Sequence, residues 1–437
     1  MHRRSFLYGA FVAAAAELAA LAEPWPQWRG PRGDGTSAEK AVPLDWSPTK
    51  NIAWKTPLPG RGHSSPVAWG NRAFVTTSVE GDILPDAKPP VHKLEGEVFV
   101  HPDATAGNRK HRLSVLCVDI GTGKILWDRV AYEGKVYDDR HKAGSYASPT
   151  PITDGKALYV WFESQGLYCY DFSGKLVWQS SAGPIATVGM GPGTSPVLYN
   201  DLIIVQCDQE EGEPSFLAAF STKTGKLVWK QKRDDPAGWS TPILVRNGSR
   251  TELVCNGWKS IRSYNPDSGE LLWQAPGLDG YIVPSPVAGN GMVYCTGGHP
   301  NKRVYALRLN PAGGERLAWR YDKGVGYVAS PLCYGNCLYF ISDGGLLTCL
   351  DAASGKLLYE GKRQGKPSRH YSSLVGVANT VWITSEQGDT AIVRAGAEYE
   401  LIGVNSLGES VYASPAIADG NVLIRTSENL VCINPRS

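Results

Sequence analysis

The sequence predicts an all-β chain: an eight-bladed β-propeller of four-stranded antiparallel blades, its ring closed by pairing of N- and C-terminal strands. Three observations predict it. A turn followed by Trp recurs along the chain, a Ser-Pro step recurs at nearly constant spacing, and four short apolar runs lie within each interval. Self-similarity at a period of about 40–50 residues is the signature of a propeller or solenoid, because one such unit cannot bury its apolar face alone.

The turn phrase reads Asp119-Ile-Gly-Thr-Gly-Lys-Ile-Leu-Trp127, Asp171-Phe-Ser-Gly-Lys-Leu-Val-Trp178 and Ser221-Thr-Lys-Thr-Gly-Lys-Leu-Val-Trp229. It continues as Asn265-Pro-Asp-Ser-Gly-Glu-Leu-Leu-Trp273 and Asn310-Pro-Ala-Gly-Gly-Glu-Arg-Leu-Ala-Trp319. The sixth copy ends on Tyr359, and a seventh is degraded at Ala395–Leu401. The eighth closing strand stands at the front, as Asn51-Ile-Ala-Trp54. The Gly in each phrase marks a left-handed position in a tight hairpin, and the preceding Asp or Asn caps the turn. The Trp fills the wedge between radiating blades.

The Ser-Pro steps fall at Ser65, Ser148, Ser195, Thr241, Ser285, Ser330, Ser373 and Ser414, with Leu374 in place of one Pro. From Pro149 onward they are 41 to 47 residues apart. The first interval is longer, which predicts an insertion in blade one over residues 80–111. Within blade two the four runs are clear: Ser148–Ile152, Ala157–Phe162, Gly166–Tyr170 and Leu176–Trp178, with an Asp154-Gly155 hairpin signal. Ser414–Ile433 supplies three strands and Asn51–Thr56 the fourth, so the ring closes across the chain ends without an exposed sheet edge. The domain reading is a leader over 1–22, an extended arm over 23–50, and one propeller over 51–437.

The leader has Arg3-Arg4-Ser-Phe-Leu7, an apolar run from Phe6 to Ala16, and Ala20-Leu-Ala22 before Glu23. It resembles a twin-arginine export signal, which places the chain in the periplasm or outside the cell. No later run reaches the length of a membrane span. The formal net charge of +2, without a long basic run, excludes a nucleic-acid binder. The expected state is a monomer. Nine Cys form no disulfide framework or C-x-x-C pair. Cys333 and Cys337 flank Tyr334-Gly-Asn336 across a predicted hairpin, which leaves a bridge between them open. Asp208-Gln-Glu-Glu211 reads as a solvated loop face. The insertion, with Asp82, Asp86, His92, His101, Asp103 and His111, reads as a solvated loop capping one face rather than a metal site.

These repeats resemble the PQQ-like β-propeller family, which includes quinoprotein alcohol dehydrogenases and the propeller lipoprotein of the outer-membrane β-barrel assembly machinery. The resemblance spans Asn51 to Pro435. The front segment Trp25-Pro-Gln-Trp-Arg-Gly-Pro-Arg-Gly-Asp-Gly-Thr-Ser37 resembles the arm of exported bacterial members. The resemblance implies a propeller in which quinoproteins place PQQ beside Ca²⁺, held by Glu and Asn near an Asp base, with two adjacent Cys against the cofactor. No two Cys are adjacent here, and no carboxylate stands at the Ser-Pro steps. Trp239 stands where a ring floor is conceivable.

If the Ser-Pro steps open the innermost strands, the residues before them crowd one mouth of the central channel. His63, Tyr146, Trp239, Tyr371 and Tyr412 stand three residues before the reference position, which predicts one tier of rings. Tyr281 and Tyr327 stand close by. Arg140, His141, Arg369 and His370 are expected as a basic rim, together with Arg61 and Lys323. Such a mouth is either a hydrogen-bonded plug or a pocket for an anionic or sugar-like ligand. No catalytic, cofactor-binding or metal residue is assigned. The leading expectation is an exported, non-catalytic binding or scaffold module for a protein or small ligand. The alternatives are a PQQ- and calcium-dependent dehydrogenase with a divergent site, and a propeller enzyme of another class using the basic mouth.

Overall fold

The computed structural model describes residues 23–94, 96–210 and 214–434; the leader expected over 1–22 lies outside them. Eight four-stranded antiparallel sheets radiate around one axis. Blade one is built from Val67–Trp69, Arg72–Ile83, Arg109–Asp119 and Ile125–Lys135. Blades two to seven repeat that order along the chain. Blade eight joins Ala416–Ala418, Asn421–Arg425 and Asn429–Ile433 to Ile52–Pro57. There Ile52 pairs with Ile433 and Trp54 with Cys432, so the chain ends meet inside one sheet.

Each turn glycine and each Trp explain one another. The indole of one blade lies on the turn Gly of the next. A Cβ at Gly123 would stand 2.7 Å from Trp54, at Gly174 2.7 Å from Trp127, and at Gly225 2.5 Å from Trp178. The indole N–H then donates to a turn carbonyl of that next blade: Trp54 to Ile120, Trp127 to Phe172 and Trp178 to Thr222. The glycine thus serves twice, since these positions also have φ near +70° to +80°. Trp273 is the exception. Blade five's turn is one residue longer, and this indole donates to Glu252 Oε2 at 2.6 Å beneath the Arg316 guanidinium. Between blades, apolar layers such as Phe74, Leu158, Val160 and Trp127 form the core.

The inner strands are tied by a closed belt. The backbone N–H of Ser65 donates to Thr150 Oγ1, that of Thr150 to Ser195 Oγ, and that of Ser195 to Thr241 Oγ1, at 2.9–3.0 Å. The relay continues through Ser285, Ser330, Ser373 and Ser414 at 2.9–3.2 Å, and Ser414 N–H returns to Ser65 Oγ. The Ser or Thr at every blade supplies a short hydroxyl side chain that reaches the neighbour's N–H. The next residue carries no strand donor when it is Pro.

The belt corrects the alignment of blade two. Its belt residue is Thr150, followed by Pro151, and not Ser148 followed by Pro149. Two Pro steps stand side by side there, and periodicity cannot choose between them.

One open question is decided and two expectations are corrected. Cys333 and Cys337 are free and buried, and they lie on opposite faces of their sheet: Cys333 pairs with Leu338, and Tyr334 with Cys337. Their thiols pack in different interblade layers, so no bridge forms. Asp208 is buried, not solvated, and accepts from Arg233 Nε at 2.7 Å and Nη2 at 3.1 Å. The insertion is not a simple loop. Glu80 pairs with His111 inside an extended ladder, and His92 is buried between Asp138 (3.2 Å) and Asp139 (3.3 Å).

The arm closes one end of the channel. Trp25 and Ala68 exchange backbone hydrogen bonds at 2.9 and 2.8 Å, and Thr153 N–H donates to Pro26 O. The buried Arg29 guanidinium donates to Pro331 O and Leu374 O, both at 2.6 Å. Trp28 Nε1 donates to the belt hydroxyl of Ser285 at 3.1 Å. All these partners follow or belong to the belt, so the arm lies on the side away from the residues that precede it.

Candidate functional site

Above the belt lies a cavity of about 420 Å³, with Trp28 at its closed end. Its tier is set by the corrected register: in every blade the lining residue stands two positions before the belt residue. His63, Trp239, Tyr371 and Tyr412 are the ring-bearing members, and Ser148, Gly193, Val283 and Val328 complete the eight. All eight are half-buried, whereas all eight belt residues are buried. A shared offset in a rotational repeat gives this common height.

The rings are unevenly distributed. Blades seven, eight and one form a continuous aromatic arc: Tyr371 lies 5.3 Å from Tyr412, which stacks on His63 at 4.5 Å and 15°. Trp239 belongs to blade four and faces blade eight across the axis. Its indole lies over Gly193, where a Cβ would be 2.8 Å from Cδ1, and its Nε1 donates to Gly191 O at 2.8 Å. Desolvation, with the positive charges of Arg425, Arg61 and Arg140, holds the His63 imidazole down at about 3, so it is neutral at pH 7.

The expected basic rim is largely absent from the wall. Tyr146 does not join the tier, because the two-residue shift turns it into the core, where it packs on His111 at 4.5 Å and donates to Asp138 O. Arg140 is buried against Glu80 Oε2 at 2.8 Å. It is therefore a structural ion pair and not a free rim cation. His370 is buried beside Ser368 O, off the cavity. Arg369 is exposed and donates to Tyr371 Oη at 3.3 Å. His141 does line the cavity, with Asp103 Oδ2 at 3.3 Å. Tyr327 lines it as well, packed on His299, whereas Tyr281 lies behind Trp239.

The sequence reading missed Trp28, Ser148, Gly193 and the two valines. The paired Pro steps concealed Ser148, and Gly or Val at a tier position has no chemical signature. It also missed Glu163, one layer behind the wall. Glu163 Oε1 accepts from Gly193 N–H at 3.0 Å, and burial pushes its carboxyl up to about 7.

An anionic quinone with calcium would require a different set of groups. Ca²⁺ takes six to eight oxygen ligands, carboxylates prominent among them. Among the described residues no Asp or Glu lines this cavity, and no Lys or Arg lines it to pair directly with a bound anion. Trp239 supplies a ring, but the rest of the donor set does not fit that pair.

The chain is thus an eight-bladed propeller with a closed hydroxyl belt, repeated Gly–Trp contacts and a channel pocket. A family model described as outer membrane protein assembly factor BamB matches residues 111–250 and 258–437, and the chain belongs to this PQQ-like propeller family. It is 24% identical over 210 residues to the dehydrogenase subunit of the quinone alcohol dehydrogenase of Gluconacetobacter polyoxogenes. That match covers 45% of this chain and 26% of the relative, so the chain spans about a quarter of that protein's length. Among solved structures, BamB of Moraxella catarrhalis aligns with a TM-score of 0.54 at 10% identity, covering 82% of this chain and 98% of that one. The quinohemoprotein alcohol dehydrogenase of Comamonas testosteroni aligns with a TM-score of 0.62 at 12% identity, covering 94% and 80%. These two likenesses concern the fold. The family thus joins assembly factors and quinone dehydrogenases on one scaffold. Among the described residues no helix is long and apolar enough to cross a membrane.

Proposed function

We propose that this chain is an exported, non-catalytic binding propeller whose channel pocket is the ligand site. One observation carries the reading. The pocket is blind, walled by rings and floored by hydroxyls, and its lining holds no acid–base or nucleophile–base pair. His63 is neutral, and both His141 nitrogens are engaged, Nδ1 by Ala143 N–H at 3.1 Å and Nε2 by Asp103 Oδ2 at 3.3 Å, which leaves no ring nitrogen of His141 for a hydroxyl of the lining. The leader Arg3-Arg4-Ser-Phe-Leu7 and the assembly-factor family support placement outside the cytoplasm. That family also supports a protein partner on the disc face.

The quinone-dehydrogenase reading is the competitor, favoured by Trp239 and by the curated relative. The test is a melting curve with PQQ and Ca²⁺. Saturation at 100 times Kd would stabilise the protein by about 2.7 kcal/mol. The expected result is no shift and no PQQ-dependent, dye-linked alcohol oxidation. A shift accompanied by such oxidation overturns the non-catalytic reading. Export is checked by fractionation of the producing cell, with loss of export on Arg3→Lys/Arg4→Lys.

A further inference from the structure

The pocket's chemistry specifies its ligand more closely, on the assumption that the pocket is the ligand site. Trp239 is pinned from behind. Gly193 lets the neighbouring strand press against the indole, and the Gly191 carbonyl takes its N–H. What remains for the cavity is aromatic carbon surface held in one orientation. Tyr412 stands on the opposite wall, itself backed by His63. Aromatic side chains therefore line both sides of the axis.

Below them, Thr150, Ser195, Thr241, Ser285, Ser330 and Ser373 line the floor. Each hydroxyl oxygen already accepts a backbone N–H from the preceding blade. Each therefore keeps its own proton to donate. A ligand for this pocket has an apolar face for the rings and acceptor oxygens at its edge. It is also neutral. With no Asp, Glu, Lys or Arg on the lining among the described residues, a charged ligand would be desolvated without a direct ion-pair partner. A cavity of about 420 Å³ is of the size of small-molecule sites.

We infer that the pocket binds a neutral carbohydrate of one or two pyranose rings, stacked on Trp239 with its hydroxyls toward the belt. A pyranose presents C–H groups on one face and hydroxyls around its rim, which matches both halves of the site. Trp239 is a binding residue and Gly193 a positioning residue that allows the indole to lie flat.

The experiment uses the full mature chain with four neutral sugars (glucose, N-acetylglucosamine, cellobiose and maltose). PQQ with Ca²⁺ and the neutral aromatic dye N-phenyl-1-naphthylamine serve as the other probes. Binding is read by calorimetry and by saturation-transfer NMR of the ligand. The expected result is binding of at least one sugar with a Kd of about 1 mM or below. Trp239→Ala should weaken it at least tenfold and Trp239→Phe by only a few-fold, with the melting temperature of both variants near the parent's. Gly193→Ala, which displaces the indole without removing it, should also weaken sugar binding. If the dye binds in a Trp239-dependent way and no sugar does, the carbohydrate inference fails while the pocket reading stands. If PQQ with Ca²⁺ binds instead, both fail. If no probe binds, the pocket is a structural plug and both fail.

Discussion

Glu163 carries a pH dependence that its position makes unusual. It sits at φ +49°, accepts from Gly193 N–H, and is shut away from water behind the cavity wall. Desolvation raises its carboxyl from 4.5 to about 7, against the lowering effect of the Gly193 and Thr194 amides. Between those values the folded protein holds a proton that the unfolded chain has lost. The Glu163 contribution to stability is therefore fully present below pH 4.5 and is lost as pH rises from 4.5 through 7. The rise is worth about 3 kcal/mol. Urea unfolding of the parent and Glu163→Gln at pH 4.5 and 7.5 should show the parent losing about that much relative to the variant. A pH-independent gap between the two would show that the carboxyl titrates normally. No sequence pattern marked Glu163, because its character comes from the neighbouring blade. The same holds for Arg140: the Arg140-His141 dipeptide has the pattern of a basic rim, and only the fold brings Glu80 beside it.

The element that recurs is the Gly–Trp contact between blades, and its two halves should be energetically coupled. Gly225→Ala brings a methyl to 2.5 Å from the Trp178 ring at a φ of +68°. Left-handed strain alone costs an Ala roughly 1–2 kcal/mol, and the steric overlap adds to it. Trp178→Ala should cost about 3 kcal/mol through lost burial and a lost hydrogen bond to Thr222 O. In the double variant the overlap is gone, so the combined loss should fall short of additivity by at least about 1 kcal/mol. Denaturant unfolding of the cycle measures this; strict additivity would mean that the glycine is required for its backbone angle alone. Gly and Trp were both visible in the sequence as a phrase. That they meet across blades, and not within one, required the tertiary arrangement.

At the scale of the whole molecule, stability depends on closing the ring. Ile52–Pro57 is the outer strand of blade eight, and Asn434 N–H donates to Asn51 O at 3.0 Å, so the two ends already form the start of a hairpin. A chain of residues 58–434 leaves blade eight with three strands and blade one's turn without the Trp54 indole. Appending residues 51–57 after Asn434 through a short turn restores both. The extended chain should melt several degrees above the truncated one and unfold more cooperatively by calorimetry. Equal melting would show that closure contributes nothing.

The sequence by itself determined the blade count, the strand-by-strand order and the pairing of the chain ends. Each rests on a repeated local phrase, and a period survives the loss of single copies such as Tyr359. It also placed His63, Trp239, Tyr371 and Tyr412 around one channel, because equal offset implies equal height. Only the tertiary structure decided the register of blade two, where Ser148-Pro-Thr-Pro151 offers two steps and the belt hydrogen bond selects Thr150. That selection removed Tyr146 from the wall and put Ser148 there. The structure alone also decided which charges are free, as Asp208, Arg140 and His92 all have partners distant in sequence. Local periodicity reports the spacing of strands along the chain. It has no access to the side chain that arrives from another blade, and in a propeller that neighbour sets both the charge and the shape of the pocket.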